Sequence, residues 1–135
     1  MADKFFLEVV TPQKAIVSEE IKSISAPGSE GEFCALKGHT TFLTSLKIGS
    51  IRYEDAAGKE CTLFANGGFA EVLPDKVTIL AESAERSEDI NINRAKEALA
   101  RAERRLSDKA ADTDVVRAQA ALQRALFRVK VAGTH

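Results

Sequence analysis

The feature that most constrains this chain is a break in its composition near Glu85. Before it lie all three prolines, seven of the eight glycines and every aromatic residue except Phe127; after it lie eleven alanines and a single glycine, Gly133. Glycine and proline punctuate short strands, whereas alanine-rich sequence without them favours helix. The chain therefore reads as α+β with two segregated parts, residues 1–85 and 86–135. Charge changes sign at the same place, from a net of −5 over residues 1–85 to +4 over residues 86–135. The whole chain of 135 residues carries −1, a balance that excludes a general polyanion binder.

The first part predicts strands at Phe5 to Val10, Ala15 to Val17, Ile21 to Ala26, Gly49 to Tyr53, Cys61 to Phe64, Phe69 to Leu73 and Lys76 to Ala81. Turn chemistry separates them: Thr11-Pro12, Pro27-Gly28, Asp55 to Gly58, Asn66-Gly67-Gly68 and Pro74-Asp75. Many short strands at this spacing imply an antiparallel β-sandwich or flattened barrel.

The second part predicts an antiparallel two-helix hairpin. Ile92, Ala95, Leu99, Ala102 and Leu106 alternate steps of three and four residues, and Val115, Ala118, Leu122, Ala125 and Val129 repeat the pattern. Alanine at alternate seam positions lets two helices approach closely but buries little apolar area. Ser107 to Thr113 supplies the turn, with Asp112 or Thr113 expected to cap the second helix.

Few residues are equipped for chemistry. Cys34 and His39 are the one nucleophile-and-base pair, without a recognisable third group to orient them, so no catalytic residue is assigned. Two cysteines 27 positions apart form no CxxC motif, and no cluster has metal-ligand spacing. Asn66-Gly67-Gly68 lacks the Lys-Ser/Thr ending of a P-loop and reads as a plain turn. The start MADKFFLEVV has no secretory pattern and no run is long enough to span a membrane, which leads us to expect a soluble intracellular chain with reduced thiols.

The arginines carry more information. Arg94, Arg101 and Arg105 lie at i, i+7 and i+11, and Arg117, Arg124 and Arg128 repeat that spacing on the second helix. Two such rows along one edge of a hairpin suit phosphate oxygens. The alternative is a solvated face with pairs such as Glu97–Arg101, and spacing alone favours that alternative.

Read together, the segments resemble the epsilon subunit of bacterial and chloroplast F-type ATP synthases. Pro27 to Phe33 followed by Lys37-Gly38-His39-Thr40-Thr41-Phe42-Leu43-Thr44 is similar to that family's PGxxGEx…PGHxPLLT segment. Asn66 to Val72 is similar to its GGFxEV strand, and Ile90-Asn91-Ile92-Asn93-Arg94-Ala95 to its I(L)DxxRA nucleotide motif. Lys37 and Thr41 stand where the family has prolines, and Asn91 where it has aspartate. The resemblance runs from Phe5 to about Val131.

The resemblance implies a non-enzymatic central-stalk rotor subunit. Its sandwich would bind the gamma subunit and the c ring, and its helices would regulate hydrolysis by the alpha/beta catalytic head. Glu32 and His39 match positions that face the c ring. Arg94, Arg101, Arg124 and Arg128 match arginines that hold ATP against the folded hairpin, with Glu85, Ile90, Asn91 and Ala95 alongside. No cofactor would be required, ATP being a regulatory ligand. The location implied is the cytoplasmic side of the inner (plasma) membrane, peripheral and through the complex alone. A stand-alone ATP sensor is the alternative. A nucleic-acid binder is disfavoured by the acidic first part and its lack of a stacking platform.

Overall fold

The computed structural model describes residues 4–108 and 114–133. Seven strands come first: β1 (Phe5–Val10), β2 (Ala15–Gly28), β3 (Gly31–Ala35), β4 (Phe42–Asp55), β5 (Glu60–Leu73), β6 (Lys76–Ala81) and β7 (Ala84–Arg86). A 3-10 turn at Ser87–Asp89 leads into α1 (Ile92–Asp108) and α2 (Val115–Ala132).

The strands pair in the order β1-β6-β5-β4-β2, and β2 pairs back onto β1, so the sheet closes into a flattened ring. β3 lies beside β2, and β7 beside β5. Closure removes most of the open edge that a sheet would otherwise expose. All pairings are antiparallel except β1–β6, the one departure from the all-antiparallel expectation. Alternation directs Phe5, Leu7 and Val9 of β1 inward, where they meet Ile21, Ile51, Tyr53, Leu63, Val72 and Ile79 in one core.

The strands are longer than the turn signals predicted. β2, β4 and β5 have 14 residues each, and each absorbs a segment read from sequence as separate strands or loop. β3 and β7 were not expected as strands. The sharpest difference is Asn66-Gly67-Gly68, which is no hairpin turn but a pivot inside β5. Gly67 and Gly68 take φ values of 72° and 127°, conformations suited to glycine. On one side of the pivot β5 pairs with β6, ending at Gly68 opposite Ala81. On the other it pairs with β7, starting at Ala65 opposite Ala84. The Asn66 backbone N–H donates to the Ser83 carbonyl at 2.9 Å, bridging the two ladders. Glycines inside a strand mark a bulge as readily as a turn, and here the bulge prevails.

The hairpin follows the predicted seam. Ala95, Ala102, Ala118 and Ala125 are all buried, Leu99, Leu106 and Leu122 are half-buried, but Val115 is exposed. The turn expected at Ser107 to Thr113 lies mainly outside the described residues, as do the two expected caps; Ser107 itself is still helical. Asp114 caps α2 instead, its Oδ1 accepting the Arg117 N–H at 3.1 Å. The hairpin docks on the sandwich through a second, smaller cluster in which Val131 and Ala132 of α2 and Ala95 of α1 meet Phe64 and Ile90.

Tyr53 makes one property of this core measurable. Its ring is 1% exposed and its hydroxyl oxygen accepts a hydrogen bond from Arg86 Nη1 at 3.3 Å. Burial raises its pKa far above the ordinary tyrosine range, with the Arg86 charge opposing in part. A raised folded-state pKa contributes stability below the unfolded value of 10.0, lost as pH rises above it. Between about pH 10 and pH 12 the urea midpoint should therefore fall more steeply for the parent than for Tyr53→Phe. Equal slopes would show that the phenol ionises as freely in the folded chain.

Candidate functional site

The hairpin and sandwich enclose a cleft of about 400 Å³. Arg101 and Arg105 reach it from α1, Arg124 and Arg128 from α2. The floor consists of Ala98, Ala102, Ala118, Ala121 and Ala125, and the sandwich side of Phe64, Asn66, Ser83 and Glu85. The two arginine rows thus converge because the alanine seam brings the helix axes close. Small side chains leave the space and long ones line it.

The four guanidinium groups are not equivalent. Glu85 grips Arg128 with both carboxylate oxygens, accepting from Nε at 2.8 Å and Nη2 at 3.1 Å. This is a fork-to-fork pair, the strong geometry for arginine and carboxylate. Arg101, Arg105 and Arg124 have no carboxylate partner among the described residues. The Glu97–Arg101 pair that a solvated face would use is not formed. Three cations without a carboxylate partner among the described residues thus line one alanine-rich cleft, an arrangement whose chemistry suits phosphate oxygens.

The structure brings Glu85, Arg101, Arg124 and Arg128 together. It does not place the other matched residues on the cleft wall. Ile90 and Ala95 are buried in the small docking cluster, where they seat α1 on the sandwich. Asn91 caps α1, its Oδ1 accepting the Arg94 N–H at 3.1 Å, so asparagine preserves the cap that an aspartate would give. Arg94 itself is exposed in the first turn. Arg105 was visible in the i, i+11 spacing, whereas Phe64 and Ser83 carried no sequence signal and Asn66 read as part of a plain turn, because only the β5 pivot and its β7 partner put them there.

The Glu32 and His39 positions are separate. Glu32, on β3, accepts from Arg52 Nη2 at 3.1 Å in an exposed pair. A pair this exposed contributes at most about 1 kcal/mol. His39 lies in the loop after β3, its Nδ1 at 2.8 Å from the Thr40 carbonyl and its ring against Phe42. Gly38, at φ 86°, donates its N–H to the Pro74 carbonyl and ties that loop to the β5–β6 turn. Cys34 lies 3.1 Å from the Ser25 hydroxyl and makes no contact with His39, so the two do not form a nucleophile-and-base pair. No group of three or more potential metal ligands exists among the described residues.

Two family models divide the chain between them. The ATP synthase delta/epsilon chain β-sandwich domain matches residues 4–87, and the long α-helix domain of the same family matches residues 88–133. The chain belongs to the ATP synthase delta/epsilon family. It is 63% identical over 134 residues to the ATP synthase epsilon chain of Desulforapulum autotrophicum, covering 99% of both chains. The Nitratidesulfovibrio vulgaris epsilon chain is 53% identical over 133 residues, 98% of each. Among solved structures, a chain of the Euglena gracilis mitochondrial ATP synthase OSCP/F1/c-ring assembly superposes with a TM-score of 0.81 at 25% identity, over 98% of this chain and 82% of that one. A chain of the Tetrahymena thermophila central stalk/c-ring structure shares the fold, with a TM-score of 0.60 at 12% identity, over 96% and 97% of the two chains. With these relatives, the chain is an epsilon subunit of an F-type ATP synthase, and the sandwich-plus-hairpin architecture expected from its sequence is the family's. No helix among the described residues is long and apolar enough to cross a membrane.

Proposed function

We propose that this epsilon subunit is a non-catalytic rotor element whose sandwich holds gamma and the c ring, and whose hairpin regulates hydrolysis by the alpha/beta head while binding ATP. The observation that carries the regulatory reading is the cleft at the junction of the two parts, lined by three arginines with no carboxylate partner among the described residues. A polyphosphate there would contact α1 and α2 at once and so favour the docked hairpin over any form in which the helices separate. ATP is a ligand here, not a substrate, and no other cofactor is invoked.

An apolar patch supports the gamma contact. Leu43, Phe69 and Leu80 are 70%, 57% and 56% exposed on the outer face of β4, β5 and β6, and Phe69 sits directly opposite Leu80. Exposed apolar side chains grouped on one sheet face mark a protein interface. Glu32 and the His39 loop are left for the c ring. The complex then places the chain peripherally at the cytoplasmic side of the inner (plasma) membrane.

Reconstitution of the full-length chain with gamma tests this reading. Phe69→Ser with Leu80→Ser should weaken gamma association by about tenfold or more, since each loses roughly 1.5–3 kcal/mol of apolar burial. Arg101→Ala should leave gamma association unchanged. A parent chain that binds ATP but not gamma would favour the stand-alone sensor instead.

A further inference from the structure

We propose that Arg86 is a positioning residue that anchors β7 to the interior of the sandwich, so that Glu85, its neighbour on the opposite face, captures Arg128 and holds α2 down. β7 has only three residues, and its ladder to β5 pairs Ala84, Glu85 and Arg86 with Ala65, Phe64 and Leu63. So short a ladder is weak by itself, and strand register is the quantity at risk. Successive side chains of a strand point to opposite faces. Glu85 accordingly points to the cleft and grips Arg128, while Arg86 points to the sandwich. There Arg86 Nη2 donates to the Ile16 carbonyl at 3.0 Å and Nη1 to the buried Tyr53 hydroxyl at 3.3 Å. Those partners belong to β2 and β4, strands to which the β7 backbone forms no ladder.

A one-residue slip of β7 would exchange the two faces. Arg86 would then confront Arg128, and Glu85 would take its place against the Ile16 carbonyl, an acceptor, in a pocket that already holds the carboxylates of Glu19 and Glu88. Each fork thus specifies the register that the other requires. Glu85–Arg128 is the one ion pair joining sandwich and hairpin among the described residues. Anchoring it determines how firmly α2 is seated. The inference goes beyond the nucleotide reading and does not depend on any ligand.

Hydrogen exchange on the full-length chain without nucleotide tests it through a double-mutant cycle. Arg86→Gln should accelerate exchange in the last two turns of α2 by about tenfold while β1 and β6 stay protected, and Arg86→Lys should restore part of that protection. In an Arg128→Gln background, Arg86→Gln should add less than about twofold, because the element it positions is already gone. Full additivity, or no change in α2, would overturn the proposal. Should Arg86→Gln expose β1 and β6 as well, Tyr53→Phe decides: it removes one acceptor and spares the Ile16 bond, and a smaller effect confined to α2 is expected. If Tyr53→Phe leaves α2 exchange unchanged, the anchoring role is refuted. Loss of ATP binding in the parent would refute the nucleotide reading and leave this cycle intact.

Discussion

Replacing Arg101 and Arg124 together by alanine is expected to lower the ATP affinity of the full-length chain by at least about a hundredfold, measured by isothermal titration calorimetry. A charge-assisted hydrogen bond is worth roughly 1.5–3 kcal/mol, and these two guanidinium groups come from different helices with no carboxylate between them and the cleft. Their loss leaves Arg105, together with Arg128 already committed to Glu85 at 2.8 Å and 3.1 Å. The charge available to a triphosphate then falls by two of its three unpaired cations. Arg117→Ala serves as the control, since Arg117 does not line the cleft. Equal affinities for all variants and the parent would return these arginines to a solvated face.

The arginine periodicity and the alanine seam make half of this cleft legible in the sequence. Both depend on helical spacing, which sequence reports directly, and the resemblance selected Arg94, Arg101, Arg124 and Arg128 from the rows, of which Arg94 lies off the cleft. The other half was hidden because it depends on a strand changing partners. Asn66-Gly67-Gly68 has the composition of a hairpin turn, and local propensity cannot tell a turn from a bulge when the deciding contact is with a strand many residues away. The same blindness split β2 and β5 into pieces and missed β7. The break placed after Glu85 by composition falls inside β7. Composition reports where helix-forming sequence begins, whereas Arg86 and Ile90 are held by side-chain contacts that no window of sequence reveals. The roles of Ile90 and Ala95 are distinguishable only in three dimensions, where both are buried in packing and do not line the cleft.

Gly68→Ala should destabilise the sandwich by about 3–5 kcal/mol, read from the urea midpoint, which is a large part of the 5–15 kcal/mol typical of a domain. A Cβ built on Gly68 would lie 2.1 Å from the Leu80 carbonyl oxygen and 2.8 Å from the Ala81 Cα. Both obstacles are backbone, fixed by the β5–β6 ladder in which Gly68 faces Ala81, so no side-chain rotation relieves them. The backbone φ of 127° adds strain of its own for any residue with a Cβ. Gly67→Ala separates the two causes. Its φ of 72° is also unfavourable, but its nearest obstacle is 3.7 Å away, so only about 1–2 kcal/mol should be lost. If the two substitutions cost the same, steric closure at Leu80 is not what requires glycine. If Gly68→Ala is the costlier, as expected, the loss should extend beyond the sandwich. The pivot carries β5 from β6 to β7, and β7 presents Glu85 to Arg128. Partial unfolding at Gly68 should therefore release α2 and dissolve the cleft at urea concentrations where the helices themselves are still formed, a sequence of events that circular dichroism and ATP titration would resolve separately.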